Sequence, residues 1–103
     1  MTDIQSLMDA CLERGASDLH LSVGRAPVLR IRGHLVEIEG LPALMPADVE
    51  RMAAAITPER NLAELQAKGT TDFGHAHGEK CRFRVSVLTQ KGSRAMVMRL
   101  IGS

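Results

Sequence analysis

Residues 82–101, RFRVSVLTQKGSRAMVMRLI, constrain the fold more than any other part of the sequence. Two runs of alternating apolar and polar residues flank Lys91-Gly92. Such alternation marks strands with one buried face, and a short glycine-containing break between them marks a hairpin. A two-residue turn at Lys91-Gly92 pairs positions whose numbers sum to 183, so Phe83 meets Leu100, Val85 meets Met98 and Val87 meets Met96. These pairs form one apolar face. On the other face Ser86 meets Val97 and Arg84 meets Arg99. A four-residue loop keeps this register, whereas a three-residue loop with a glycine bulge would send the two arginines to opposite faces. The continuous apolar face favours the first arrangement.

Directly opposed like charges destabilise a sheet by ~0.2–1 kcal/mol, so folding alone gives no reason to place two arginines there. Two guanidinium forks on one face can grip a single anion, phosphate above all. The competing reading is that both side chains splay into water or pair with a nearby carboxylate such as Asp72.

The remaining chain supplies partners for this hairpin. Residues 2–14 carry Ile4, Leu7, Met8, Cys11 and Leu12 at helical spacing, with Thr2 or Asp3 as cap and Gly15 as terminator. SDLHLSV alternates, with Leu19, Leu21 and Val23 on one face and Asp18, His20 and Ser22 on the other. PVLRIRGHLVEIEG predicts a hairpin turning at Gly33-His34, which sets Leu29 against Ile38, Ile31 against Val36 and Arg30 against Glu37. MPADVERMAAAI predicts a helix starting at Pro46, with Val49, Met52, Ala53 and Ile56 inward. TPERNLAELQAKG predicts another, with Thr57 as N-cap, Pro58 in the first helical position and Gly69 as terminator. TTDFGHAHG reads as a short strand entering a turn. The order α-β-β-β-α-α-β-β-β, rich in hairpins, predicts an α+β fold: an antiparallel sheet of about six strands with helices packed on one face.

Composition narrows the function. A chain of 103 residues is one domain's worth, with a formal charge of +1 and only two aromatic residues, both Phe. That excludes a base-stacking nucleic-acid platform and any global electrostatic pull toward nucleic acid or anionic lipid. The N-terminal stretch, with Asp3, Asp9, Glu13 and Arg14, lacks the basic start and apolar run of a signal peptide. Cys11 and Cys81 show no metal-type spacing and read as reduced thiols.

Two long stretches resemble a known family. GASDLHLSVGRAPVLRIRGHL (15–35) and TDFGHAHGEKCRFRVSVLTQKGSRAMVMRLI (71–101) are similar to the N-terminal domain of the type IV pilus retraction (twitching motility) motors. These are the PilT family of the secretion ATPase superfamily. The shared pattern is Ala-Ser-Asp-Leu-His-Leu, Pro-x-x-Arg-x-x-Gly, Asp-Phe, Arg-Phe-Arg-Val and a closing Arg-Leu-Ile; Ser86 stands where the family usually has Asn. The resemblance implies a PAS-like domain over residues 1–101, with residues 102–103 as a tail, vector-derived on one reading. It implies a following RecA-like ATPase domain, absent from this chain, and a homohexameric ring built by packing the N-terminal domain against its own and a neighbouring subunit's ATPase domain. It also implies ATP and Mg²⁺ in the full-length motor only, a cytoplasmic location peripheral to the inner membrane, and contact with the pilus inner-membrane platform. In the family, two arginines on the last two strands, spaced as Arg84 and Arg99 are, reach the nucleotide phosphates. Arg82 and Arg94 would be auxiliary basic residues. The chain contains no G-x-x-x-x-G-K-[ST] loop, so no catalytic residue is expected in it. The alternative is a stand-alone PAS-like small-molecule sensor or protein-binding module.

Other constellations carry less. His75, His77 and Glu79, with His20, His34 or Cys81, suggest a metal site, yet HAHGE reads as a solvated hairpin loop. Asp18 and His20 share a strand face, but no nucleophile accompanies them, so packing and hydrogen bonding are expected. Met8, Met52, Met96 and Met98 fall at core positions. Lys80 and Lys91 add charge around the last hairpin.

Overall fold

The computed structural model describes residues 2–102; Met1 and Ser103, the latter half of the expected tail, lie outside the described residues. The chain begins with α1 (Ile4–Glu13), whose N-cap Asp3 accepts the Ser6 amide at 2.8 Å. Gly15 then reverses the chain at φ 66°, a conformation that favours a residue without Cβ. Next come β1 (Asp18–Leu21), β2 (Val28–Ile31) and β3 (His34–Glu37). The helices α2 (Pro46–Ile56) and α3 (Glu59–Lys68) follow, and then β4 (Thr70–His77), β5 (Cys81–Gln90) and β6 (Ser93–Leu100). The six strands form one antiparallel sheet in the order β3-β2-β1-β6-β5-β4. The first and last strands therefore meet at its centre.

One face of the sheet carries Leu19, Leu21, Leu29, Phe83, Val85, Val87, Met96 and Met98, all buried. Against it pack Ile4, Leu7, Met8 and Cys11 of α1, Val49, Met52, Ala53 and Ile56 of α2, and Leu65 of α3, in a single cluster. Each side chain of this size, once buried, contributes about 1.5–3 kcal/mol relative to leaving it in water, which is what holds three short helices on the sheet. The alternate positions face away from the helices and form an open face.

The β5–β6 register follows the expectation, with Arg84 opposite Arg99 and Val85 opposite Met98. The β2–β3 hairpin does not. Its turn is Arg32-Gly33, both at positive φ (52° and 81°), so the register slips by two residues. Leu29 meets Val36, and Arg30 meets Leu35 instead of Glu37. Positive φ at both central residues gives the turn whose twist matches the flanking strands, and glycine takes its second position at no steric cost. Arg30 Nη1 donates to the Gly33 carbonyl at 3.1 Å, while Glu37 lies 3.8 Å from Arg25.

Three smaller expectations also shift. Val23 is exposed, because the chain leaves the sheet after Leu21 and Val23 bridges Leu44 instead. Thr57 closes α2, its hydroxyl donating to the Ala53 carbonyl at 2.6 Å, and Pro58 caps α3. The expected HAHGE loop is strand through His77, which is buried.

Candidate functional site: an arginine pair on the open face

The antiparallel registers place one residue from each strand in a row across the open face: Gly74, Arg84, Arg99, Asp18, Arg30 and Leu35. The row thus holds three arginines and one carboxylate, Asp18 lying between Arg99 and Arg30. Local alternation explains why Arg84 and Arg99 point this way, since their neighbours Phe83, Val85 and Met98 occupy the core. A shallow depression of about 220 Å³ sits over them, lined by Asp18, Arg84, Ser86, Val97 and Arg99.

The two guanidinium groups differ in their partners. Arg99 Nε donates to Asp18 Oδ2 at 3.3 Å, with the Arg99 side chain 70% exposed and that of Asp18 only 6%. Among the described residues, no carboxylate lies within ion-pair distance of the exposed Arg84. Asp72, the expected partner, instead accepts a hydrogen bond from the Ser86 hydroxyl. Arg30 is held by its own turn through the Gly33 carbonyl.

Asp18, expected to pack and to hydrogen-bond, does both, and its partner across the strands is Arg99. Burial pushes its carboxyl up, but the Ser17 hydroxyl at 2.6 Å, the Arg99 guanidinium and the His20 charge together hold it below the ordinary carboxylate value. The placing of Asp18 between Arg99 and Arg30 was not available without the strand order. His20 shares the open face, with a buried Nε2 that has no hydrogen-bond partner among the described residues, and burial lowers its pKa.

The auxiliary basic residues separate. Arg82 is exposed on the open face, two positions before Arg84. Arg94 falls on the helix side, 3.4 Å from Glu50 of α2, and with Lys91 lines a different depression at the β5–β6 turn. It is not part of the arginine row.

The histidines do not assemble a site. His77 Nε2 lies 2.7 Å from Asp9 Oδ1, and Lys80 Nζ donates to the same oxygen at 2.9 Å. These contacts tie α1 to the β4–β5 hairpin. Among the described residues, no group of three His, Cys, Asp or Glu is placed to hold a metal ion. Among them, too, no helix is long and apolar enough to cross a membrane. Cys11 and Cys81 are free and buried.

Comparison with known proteins locates this architecture. No family model matches the chain. It is 33% identical over 101 residues to the type IV pilus retraction ATPase PilT of Pseudomonas aeruginosa, covering 98% of this chain and 29% of PilT. With the type IV pilus ATPase PilU of the same organism it shares 24% identity over 99 residues, 96% of this chain and 26% of PilU. The chain therefore spans less than a third of the length of these relatives. The crystal structure of the pilus retraction motor PilT with bound ADP superposes with a TM-score of 0.89 at 32% identity, over 96% of this chain and 29% of that one. The Legionella pneumophila ATPase DotB shares the fold, with a TM-score of 0.76 at 17% identity over 94% of this chain and 28% of DotB. In sequence and in fold alike, the chain is homologous to the N-terminal domain of PilT, of the secretion ATPase family.

Proposed function

We propose that this chain is the non-catalytic N-terminal domain of a hexameric type IV pilus retraction motor, spanning residues 1–101 with a two-residue tail. In this reading it docks on the RecA-like ATPase domain of its own and a neighbouring subunit. The observation that carries it is the opposition of Arg84 and Arg99 on the open face, where Arg84 has no carboxylate partner among the described residues. A guanidinium fork matches phosphate geometry, and two of them across one strand pair can share the oxygens of one polyphosphate. The mutual repulsion of the pair is relieved when such an anion lies between them, so the arrangement favours the bound state over the free one.

The nucleotide and its Mg²⁺ belong to the ATPase domain in this scheme, since this chain has no P-loop to cradle phosphates. What Arg84 and Arg99 supply is positive charge aimed at oxygens that gain charge during phosphoryl transfer. They would draw the two domains together over ATP and let them part once the γ-phosphate leaves. The full motor would work in the cytoplasm against the pilus platform at the inner membrane.

The test is ATP turnover by a full-length motor carrying this domain. Arg84→Ala and Arg99→Ala are each expected to lower turnover by ~100-fold or more, with the hexamer and its circular dichroism unchanged. Undiminished turnover in both variants overturns the assignment.

A further inference from the structure

We infer that Asp18 is an internal counter-ion that occupies Arg99 in place of a phosphate oxygen and must yield it when phosphate arrives. The inference rests on the reading that Arg84 and Arg99 meet phosphate, and it adds a positioning residue that sets how readily they do so. Three observations carry it. Asp18 stands next to Arg99 in the sheet register, on the side away from Arg84. Its carboxylate is anchored from both sides: Ser17 donates to Oδ1 at 2.6 Å and Arg99 to Oδ2 at 3.3 Å. And it is the one buried member of the row, while Arg84 and Arg99 are both exposed.

That geometry gives the two arginines different duties. Arg99 Nε is engaged by Asp18 on β1, the strand on the side away from Arg84, and the carboxylate's charge offsets the arginines' repulsion in the free domain. An incoming polyphosphate must take Arg99 from Asp18, whereas Arg84 is available at once. Asp18 keeps its Ser17 hydrogen bond when Arg99 leaves, since that contact is made through the other carboxylate oxygen. Releasing Arg99 leaves a buried carboxylate with one partner fewer, so phosphate must outbid an anion already in place. The consequence is weaker anion binding and a site that discriminates a multiply charged phosphate chain from a singly charged ion.

Inorganic tripolyphosphate is the probe, titrated into the chain at low ionic strength and followed by calorimetry and by the Arg Nε–H NMR resonances. Asp18→Asn keeps the side-chain shape and the Ser17 contact while removing the charge. It is expected to bind tripolyphosphate roughly fivefold more tightly than the unaltered chain, the gain shrinking as salt is added. Asp18→Glu, which restores the charge, should return affinity toward the starting value. The Arg99 Nε–H resonance should move in Asp18→Asn before any ligand is added, with the melting transition still cooperative. If Arg84→Ala and Arg99→Ala weaken binding but Asp18→Asn does not tighten it, the counter-ion role is overturned and the phosphate reading stands. If tripolyphosphate binding ignores both arginines in the unaltered chain and in Asp18→Asn, the phosphate reading fails and the inference falls with it.

Discussion

Asp18 shows how one residue sets the character of the open face. Alone on a half-buried strand it reads as a packing residue. Beside Arg99 it is a neutralising charge with a measurable pH signature. Its folded pKa lies below the ordinary 3.8 because its hydrogen bonds from Ser17 and Arg99, with the charges of Arg99 and His20, outweigh burial. A depressed carboxyl contributes stability that is complete above the unfolded value and is lost as pH falls through the folded one. Asp3 and Asp9 are lowered too, so the informative quantity is the difference between the unaltered chain and Asp18→Asn. Urea midpoints should differ most near neutral pH and converge as the pH falls below the carboxylate range; a constant difference down to full protonation would contradict the assignment. The Arg84–Arg99 opposition itself was legible in the sequence, since alternation and turn length determine it locally. The Asp18–Arg99 contact was not, because it joins residues 81 apart that only strand order brings together.

Among the elements, the two hairpins test how far turn chemistry can be read. Both use two-residue turns with positive φ at each central position: Arg32 at 52° with Gly33 at 81°, and Lys91 at 51° with Gly92 at 81°. For β5–β6 the long apolar face specified the register regardless of the poor fit of Lys91 to its turn position. For β2–β3 the strands are only four residues each, and two registers differing by two residues keep the same faces. The choice between them falls to the turn, and glycine is accepted at either central position of different turn types. An apparent Arg30–Glu37 pair was therefore a weaker guide than backbone twist. A non-glycine residue forced into the left-handed region is strained, and asparagine tolerates it better. Lys91→Asn should accordingly raise the unfolding free energy by about 0.5 kcal/mol in urea titrations. An unchanged or lower midpoint would mean that Lys91 makes a compensating contact. His77 belongs to the same lesson: its strand position became clear only once Asp9 of α1 and the Phe83 ring were seen around it.

For the molecule as a whole, one core under one face of one sheet predicts a single cooperative unit. Cys11, on α1, and Cys81, at the start of β5, report on it from different elements. Burial pushes the Cys11 thiol up to about 11, with the Cys81 and Asp18 charges adding to the effect, and burial raises Cys81 as well. Neither thiol should react appreciably with a thiol reagent in the folded chain at mildly alkaline pH. Labelling of both should rise along the same urea transition that circular dichroism follows; labelling of Cys11 well before it would show that α1 detaches on its own. The sequence by itself determined the order of nine elements, the inward faces of α1, α2 and the β5–β6 hairpin, and the meeting of Arg84 with Arg99, because these follow from periods of two and 3.6 residues acting over short distances. Only the tertiary structure decided that β6 lies between β1 and β5, that the arginine face is left open, and that a carboxylate waits beside Arg99. Strand order is settled by which apolar faces best cover one another and the helices, and that competition runs over the whole chain at once.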